Sequence, residues 1–221
     1  MFWITMLAAG SIVASAYPGE EKARDFPFAK SDLGKVPAGW KATQTNKGER
    51  SSIWKVVADA SAPSKKGFAL AQTAASPSAV FNICVANDTS FKDVEVNVAF
   101  KAIAGKKDQG GGIVWRYQDA ENYYVARMNP LEDNYRLYKV VAGKRIQLDT
   151  KEDLVVPVGE WHTLKIKHVG DQIECFLDGK KILSAQDNTI AKSGQVGLWT
   201  KADAQTRFDN FTVQAESGKK D

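Results

Sequence analysis

Gly110-Gly111-Gly112-Ile113-Val114-Trp115-Arg116-Tyr117-Gln118, followed after a short polar break by Tyr123-Tyr124-Val125-Ala126-Arg127-Met128-Asn129, is the part of the chain that decides the fold. Both runs are dense in β-branched and aromatic residues, which suit a pleated surface packed on its neighbours. Neither carries an apolar repeat of helical spacing. Gly111 and Gly112 before Trp115 let the backbone pass close to another strand, so Ile113–Gln118 is expected to be central rather than at an edge.

The same pattern spreads outward. Val94, Val96, Val98 and Phe100 alternate with Glu95, Asn97 and Lys101 around them, giving one buried and one wet face. Leu164 and Ile166, and then Ile173, Cys175 and Leu177, repeat the alternation. Turn strings separate the runs: Ala142-Gly143, Val169-Gly170-Asp171 and Asp178-Gly179. Further strands are expected at Trp40–Gln44, Ser52–Ala58, Phe68–Thr73, Phe81–Ala86, Tyr135–Val141, Val196–Lys201 and Arg207–Gln214. Many short strands with regular turns predict an all-β, two-sheet antiparallel jelly-roll sandwich. Trp161, after the Gly159 turn, is expected to close one end of its core.

The chain has 221 residues, 43% hydrophobic and 25% charged, with a formal net charge of +4. One large β domain fits that length. No basic run of the kind that marks nucleic-acid binding is present. Residues 1–16 carry no charged side chain, are largely apolar from Phe2 to Val13 and end in Ala14-Ser15-Ala16, a signal-peptide cleavage string too short for a membrane span. The expected layout is a leader at 1–16, a mature N-terminal segment at 17–24, the sandwich at 25–214 and a polar tail at 215–221, in an exported protein, periplasmic or extracellular, with no transmembrane span after processing. Cys84 and Cys175 both sit in strand-like runs. Either they pair in an oxidising compartment or they are two buried thiols.

From Gly110 to Val213 the chain resembles concanavalin A-like jelly rolls, most closely the laminin-G-like domains and the bacterial 3-keto-disaccharide hydrolase family. The residues that carry the resemblance are Gly111-Gly112-Ile113-Val114-Trp115-Arg116, Asn122-Tyr123-Tyr124, Gly159-Glu160-Trp161-His162-Thr163-Leu164, Phe176-Leu177-Asp178-Gly179-Lys180, Gly194-Gln195-Val196-Gly197-Leu198-Trp199-Thr200-Lys201 and Phe208-Asp209-Asn210-Phe211. Family hydrolases commonly show a Glu-x-Gln string where this chain reads Asn122-Tyr123-Tyr124-Val125-Ala126-Arg127. The Glu-x-Asp-x-x-Glu string of laminarinase-like jelly rolls is also missing, with Asp93-x-Glu95-x-Asn97 the nearest approach. The resemblance further implies a structural calcium held by Asp209 on the last strand, an N-terminal acid and backbone carbonyls, with Asp25 as the N-terminal candidate.

Nucleophile and zinc chemistry are unsupported. The two histidines, His162 and His168, have no partner spacing for a triad or a zinc site. What remains is a surface of aromatic rings and cations. Arg116 lies between Trp115 and Tyr117, Tyr123 shares a face with Arg127, Arg136 with Tyr138, and Trp199 with Lys201. On adjacent strands these residues would line one concave sheet, where rings stack on sugar CH groups and Arg and Asn hold hydroxyls. The competing reading makes Trp115 and Trp199 core residues.

The expected ligand contacts are therefore Arg116, Tyr123, Arg127, Asn129, Tyr138, Trp199 and Lys201, and the expected partner is a carbohydrate. If the chain is instead a glycoside-cleaving enzyme, Glu132 and Asp133, in the polar connection Asn129-Pro130-Leu131-Glu132-Asp133-Asn134, are the expected acid/base candidates. A laminin-G-like structural role with no sugar is the third reading.

Overall fold

The structure is a computed structural model that describes residues 23–46 and 52–216. The expected leader at 1–16, the start of the mature chain up to residue 22 and the tail from residue 217 lie outside the described residues. Fifteen strands follow one another along the chain: β1 (Arg24–Phe26), β2 (Trp40–Thr45), β3 (Trp54–Ala58), β4 (Phe68–Gln72), β5 (Phe81–Ala86), β6 (Val94–Ala104), β7 (Gly111–Asp119), β8 (Asn122–Asn129), β9 (Asn134–Val141), β10 (Lys144–Lys151), β11 (His162–Val169), β12 (Gln172–Leu177), β13 (Lys180–Gln186), β14 (Gln195–Lys201) and β15 (Gln205–Ala215). A single 3-10 turn at Lys30–Asp32 is the only helical element among the described residues.

Two antiparallel sheets stack as a jelly-roll sandwich. The first runs β13-β12-β11-β6-β15-β4-β3, with β1 joining β15; the second runs β10-β9-β8-β7-β14-β5-β2. Hairpin turns set the local registers as their sequences require. Ala142 and Gly143 take φ of 49° and 74°, and Asp178 and Gly179 take 48° and 79°, so both pairs have the two left-handed residues of a tight hairpin. The glycines ahead of Trp115 meet the expectation of close passage: a Cβ on Gly112 would collide with the Ala126 carbonyl, and one on Gly111 would lie 2.6 Å from the Phe208 ring.

The core between the sheets collects Val94, Val96, Val98 and Phe100 from β6, Leu164 and Ile166 from β11, and Trp115, Tyr124, Leu137 and Leu198 from the second sheet. Cys84 and Cys175 are both free, buried thiols. Burial pushes both thiols up, away from the thiolate form. Trp161 departs from its expected place: it stands half-buried on the outer side of the first sheet, its Nε1 donating to Ser61 Oγ at 3.0 Å with Lys101 Nζ over the ring at 4.9 Å. The register of β11 explains this. His162 pairs with Phe100 and Leu164 with Val98, so the inward positions start after Trp161.

The second sheet rolls up on its outer side. Arg145, on edge strand β10, places its guanidinium 5.1 Å from the Phe81 ring on β5, although β9, β8, β7 and β14 lie between those strands in the sheet. The hydroxyls of Thr45, on the opposite edge strand, and Tyr123 on β8 share a hydrogen bond of 2.7 Å. Inside the roll sits a second apolar cluster of Phe81, Ile83, Val85, Val114, Tyr117, Tyr123, Val125, Tyr138, Val140 and Trp199. The inner strands of the second sheet are thus buried on both faces, which is why β5 and β8 do not alternate cleanly.

Candidate functional site

One end of the roll is polar. The period of two along β8 puts Arg127 and Asn129 on the same face as Tyr123 and Val125, so they enter the roll where its apolar cluster stops. From β9 come Asn134 and Arg136, and from β14 Lys201, one step beyond Trp199 on the same face. Two residues outside the expected set complete the group: Asp108, from the loop before β7, and Arg145.

The contacts are specific. Arg127 donates from Nη1 to Asn134 Oδ1 at 2.7 Å and from Nη2 to Glu132 Oε2 at 2.8 Å. Asp108 accepts from Asn129 Nδ2 at 3.1 Å and from Lys201 Nζ at 2.9 Å. Arg145 lies 4.4 Å from the Tyr138 ring centroid as well as against Phe81. Arg127 is 2% exposed, Asn129 0% and Asp108 2%.

Burial and charge separate the two acids. Desolvation lifts the Asp108 carboxyl above the usual carboxylate range, outweighing Arg127 and Lys201, which act the other way. Glu132 is partly exposed at the rim. Burial would raise it, but the Arg127 contact wins and holds it below the usual range. Burial pushes Arg145 down, and Arg127 adds to the effect against the pull of Tyr138 and Asp108.

Three buried donors on this face have no hydrogen-bond partner among the described residues: Arg127 Nε, Arg145 Nη1 and Trp199 Nε1. An unpaired buried donor costs about 1–3 kcal/mol. Buried donors of this kind on one face mark places where acceptor oxygens are wanted.

The expected contacts divide as follows. Tyr123, Arg127, Asn129, Tyr138, Trp199 and Lys201 do share the inner face of the rolled sheet, but all except the partly exposed Lys201 are buried, with Tyr123 0%, Tyr138 4% and Trp199 1% exposed. The open concave surface anticipated from the strands is closed by the rolling of the sheet. Arg116 does not join them. A bulge in β7 turns it at φ 44°, and its guanidinium ties together the carbonyls of Lys92, Ile190 and Gly170 at 2.8, 3.1 and 2.9 Å. Asp133 takes φ 49° in the β8–β9 turn, where its carbonyl accepts the Leu154 N–H at 2.8 Å.

Asp25 and Asp209 do line one cavity, of about 190 Å³, with Ser64, Lys66 and Asn210. One Asp209 oxygen already accepts the Ser64 N–H at 2.8 Å, and no three of His, Cys, Asp and Glu group together among the described residues. Two carboxylates supply only part of the six to eight oxygens that calcium takes, and the rest of the expected set would be backbone carbonyls.

Arg145 carried a signal that was not used. The two-residue Ala142-Gly143 turn pairs it with Val140, which shares a face with Tyr138. Asp108 carried none, because its position depends on how a polar loop folds back.

The sequence model of the 3-keto-alpha-glucoside-1,2-lyase-like domain matches residues 29–214. The chain belongs to this family. No curated protein matches the sequence. Among solved structures, this lyase-like domain is similar to the carbohydrate-binding module CBM66 from Bacillus subtilis, at 22% identity and a TM-score of 0.64, over 86% of this chain and 100% of that one. It is also similar to the cellulose-induced protein Cip1, at 12% identity and 0.60, over 89% and 98% of the two chains. The lumenal domain of VIP36 in its Ca2+/Man-bound form aligns at 10% identity and 0.58, over 90% and 92%. At these identities the likeness is one of fold.

Proposed function

We propose that the protein binds carbohydrate at the polar end of the rolled sheet, with Arg127, Asn129, Lys201, Tyr138 and Trp199 joined by Asp108 and Arg145. The observation that carries this reading is the set of orphaned buried donors on Arg127, Arg145 and Trp199. A sugar offers many acceptor oxygens and apolar CH faces, which suits N–H donors set among aromatic rings. Membership of a family described as 3-keto-alpha-glucoside lyase-like supports it, as does the fold shared with a carbohydrate-binding module. Ligand entry is from the rim, where Glu132, Arg136 and Lys201 keep part of their surface in water. Glu132 then orients Arg127 rather than moving protons. Isothermal titration against a glycan panel that includes 3-keto-glucosides tests the reading. Binding that is lost in Arg127→Met, with the fold retained, supports it; heat for no sugar sinks it.

A second reading makes the site catalytic, and the raised proton affinity of Asp108 next to two guanidinium groups favours it. Asp108 would take the proton from C2 of a 3-keto-glycoside, the carbon beside the carbonyl. The C–H electron pair becomes the C1=C2 double bond, and the C1–O bond breaks with its electrons staying on the departing oxygen, which picks up a proton. Donors on Arg127 and Arg145 would stabilise the charge that builds on the ketone oxygen. The product is a conjugated enone, so turnover is read as a rise in near-ultraviolet absorbance. Asp108→Asn should abolish that rise and leave binding measurable; an undiminished rate removes Asp108 from this role.

The proposal includes export through the leader at 1–16, supported by the Ala14-Ser15-Ala16 string. N-terminal sequencing of secreted protein should read from Tyr17, and a chain that keeps Met1 would contradict it.

A further inference from the structure

The polar end of the roll holds more positive charge than its carboxylates answer. Glu132 takes Arg127 at 2.8 Å, Glu152 takes Arg136 at 3.2 Å with Glu132 behind it at 3.6 Å, and Asp108 takes Lys201 at 2.9 Å, which leaves one cation over. Arg145 makes no ion pair among the described residues. Its guanidinium is held instead between the faces of Tyr138 and Phe81, at 4.4 and 5.1 Å, and its Nη1 is one of the buried orphans. Stacking of this kind steadies an arginine without using its hydrogen-bonding edge. Among the described residues nothing takes up that edge, so the fork is left for a planar anion.

The residues that carry the other two orphans lie on the same inner face. The Phe81 ring that carries Arg145 packs on Trp199 at 5.4 Å, and Arg127 and Asp108 are close enough to act on Arg145 electrostatically. A neutral sugar would satisfy the bare N–H groups but leave the extra cation unanswered. A carboxylate answers both, because a guanidinium grips it through two parallel hydrogen bonds that are shorter and stronger than neutral ones.

We infer that the sugar taken at this site carries a carboxylate, as a uronic acid residue does, and that Arg145 is the residue that selects it. The inference rests on the carbohydrate reading above and narrows its ligand class.

The test is titration of the full chain with methyl glucuronide and with methyl glucoside, which differ only in the carboxylate. A charge-assisted hydrogen bond is worth enough that the glucuronide should bind roughly tenfold tighter or better. That preference should shrink as salt is added. In Arg145→Met the two sugars should bind alike, while a retained melting transition shows the fold intact. If that variant does not fold, Arg145→Lys decides instead. It keeps the charge and loses the fork, so glucuronide affinity should fall several-fold and glucoside affinity should not. Equal affinities in the wild type, a preference that survives Arg145→Met, or equal losses for both sugars in Arg145→Lys would overturn the inference and leave the sugar site standing. Heat from neither sugar would overturn the inference, and heat from no sugar of the glycan panel would remove the site itself.

Discussion

Asp203 holds Asp108 by its backbone. The Asp203 carboxylate accepts the N–H groups of Lys106, Lys107 and Asp108 at 2.9, 3.0 and 3.1 Å, so the loop that delivers the buried acid is gathered around one side chain. Burial would raise the Asp203 carboxyl, but the three N–H groups outweigh it and hold it below the usual range. Asp203→Ala should cost about 2 kcal/mol of stability, measured by urea denaturation, since hydrogen bonds to a charged group are worth more than neutral ones. It should also weaken sugar binding more than its stability loss explains. Asp203→Asn, which keeps an acceptor, should recover part of both.

The stability of the fold should respond to His168 in a defined window. His168 is fully buried, accepts the Trp115 Nε1–H at 2.9 Å, and is pushed down to about 4 by burial first and by Arg116 next. The unfolded chain binds that proton near the ordinary value of about 6.5. Stability is therefore complete above about 6.5 and is lost as the pH falls from there through about 4, by roughly 3 kcal/mol. His168→Gln, whose amide oxygen can still accept from Trp115, should flatten the melting temperature across that window. A profile identical to the wild type would assign the slope elsewhere.

Asp59 anchors two cations on the first sheet. It meets Lys101 at 2.6 Å and Arg207 at 2.8 Å with only 4% of its side chain exposed, and its carboxyl is held far below the usual range by those contacts despite burial. Asp59→Asn leaves Lys101 buried without its counter-charge and should cost about 3–5 kcal/mol. Lys101→Met together with Asp59→Leu should recover much of that loss, because a buried pair replaced by apolar groups is often neutral.

Two glycines give opposite tests of backbone space. At Gly112 an alanine methyl would run into the Ala126 carbonyl of the paired strand, so Gly112→Ala should disrupt the β7–β8 pairing and abolish cooperative melting. At Gly159 nothing lies within 4 Å, and only the left-handed backbone at φ 83° resists a side chain. Gly159→Ala should cost about 1 kcal/mol and melt normally.

The strands were legible because alternation and turn residues are local signals, and Val94 to Phe100 and the Asp178-Gly179 turn behaved as those signals say. The roll of the second sheet was not legible. It depends on Arg145 reaching Phe81 across four intervening strands, a long-range contact that no window of sequence contains. For the same reason six of the seven side chains named from the sequence share one face, while the enclosure of Tyr123, Arg127, Asn129 and Tyr138 could not be read from it. Arg116 was misplaced because the β7 bulge reverses its direction, and a bulge shifts side chains without changing composition. Asp108 was invisible because its partners Asn129 and Lys201 lie on two other strands.

The double burial of the second sheet also governs how freely the chain can vary. Along β11 and β12 every other residue keeps contact with water, so a saturation library should show tolerance that rises and falls with a period of two. Along β5 and β8 nearly every side chain is enclosed, and the same library should find those strands intolerant at successive positions. Drift in this protein is thereby steered onto one sheet. Substitution has most latitude in the loops and edge strand that frame the roll, and least in the strands that form its floor.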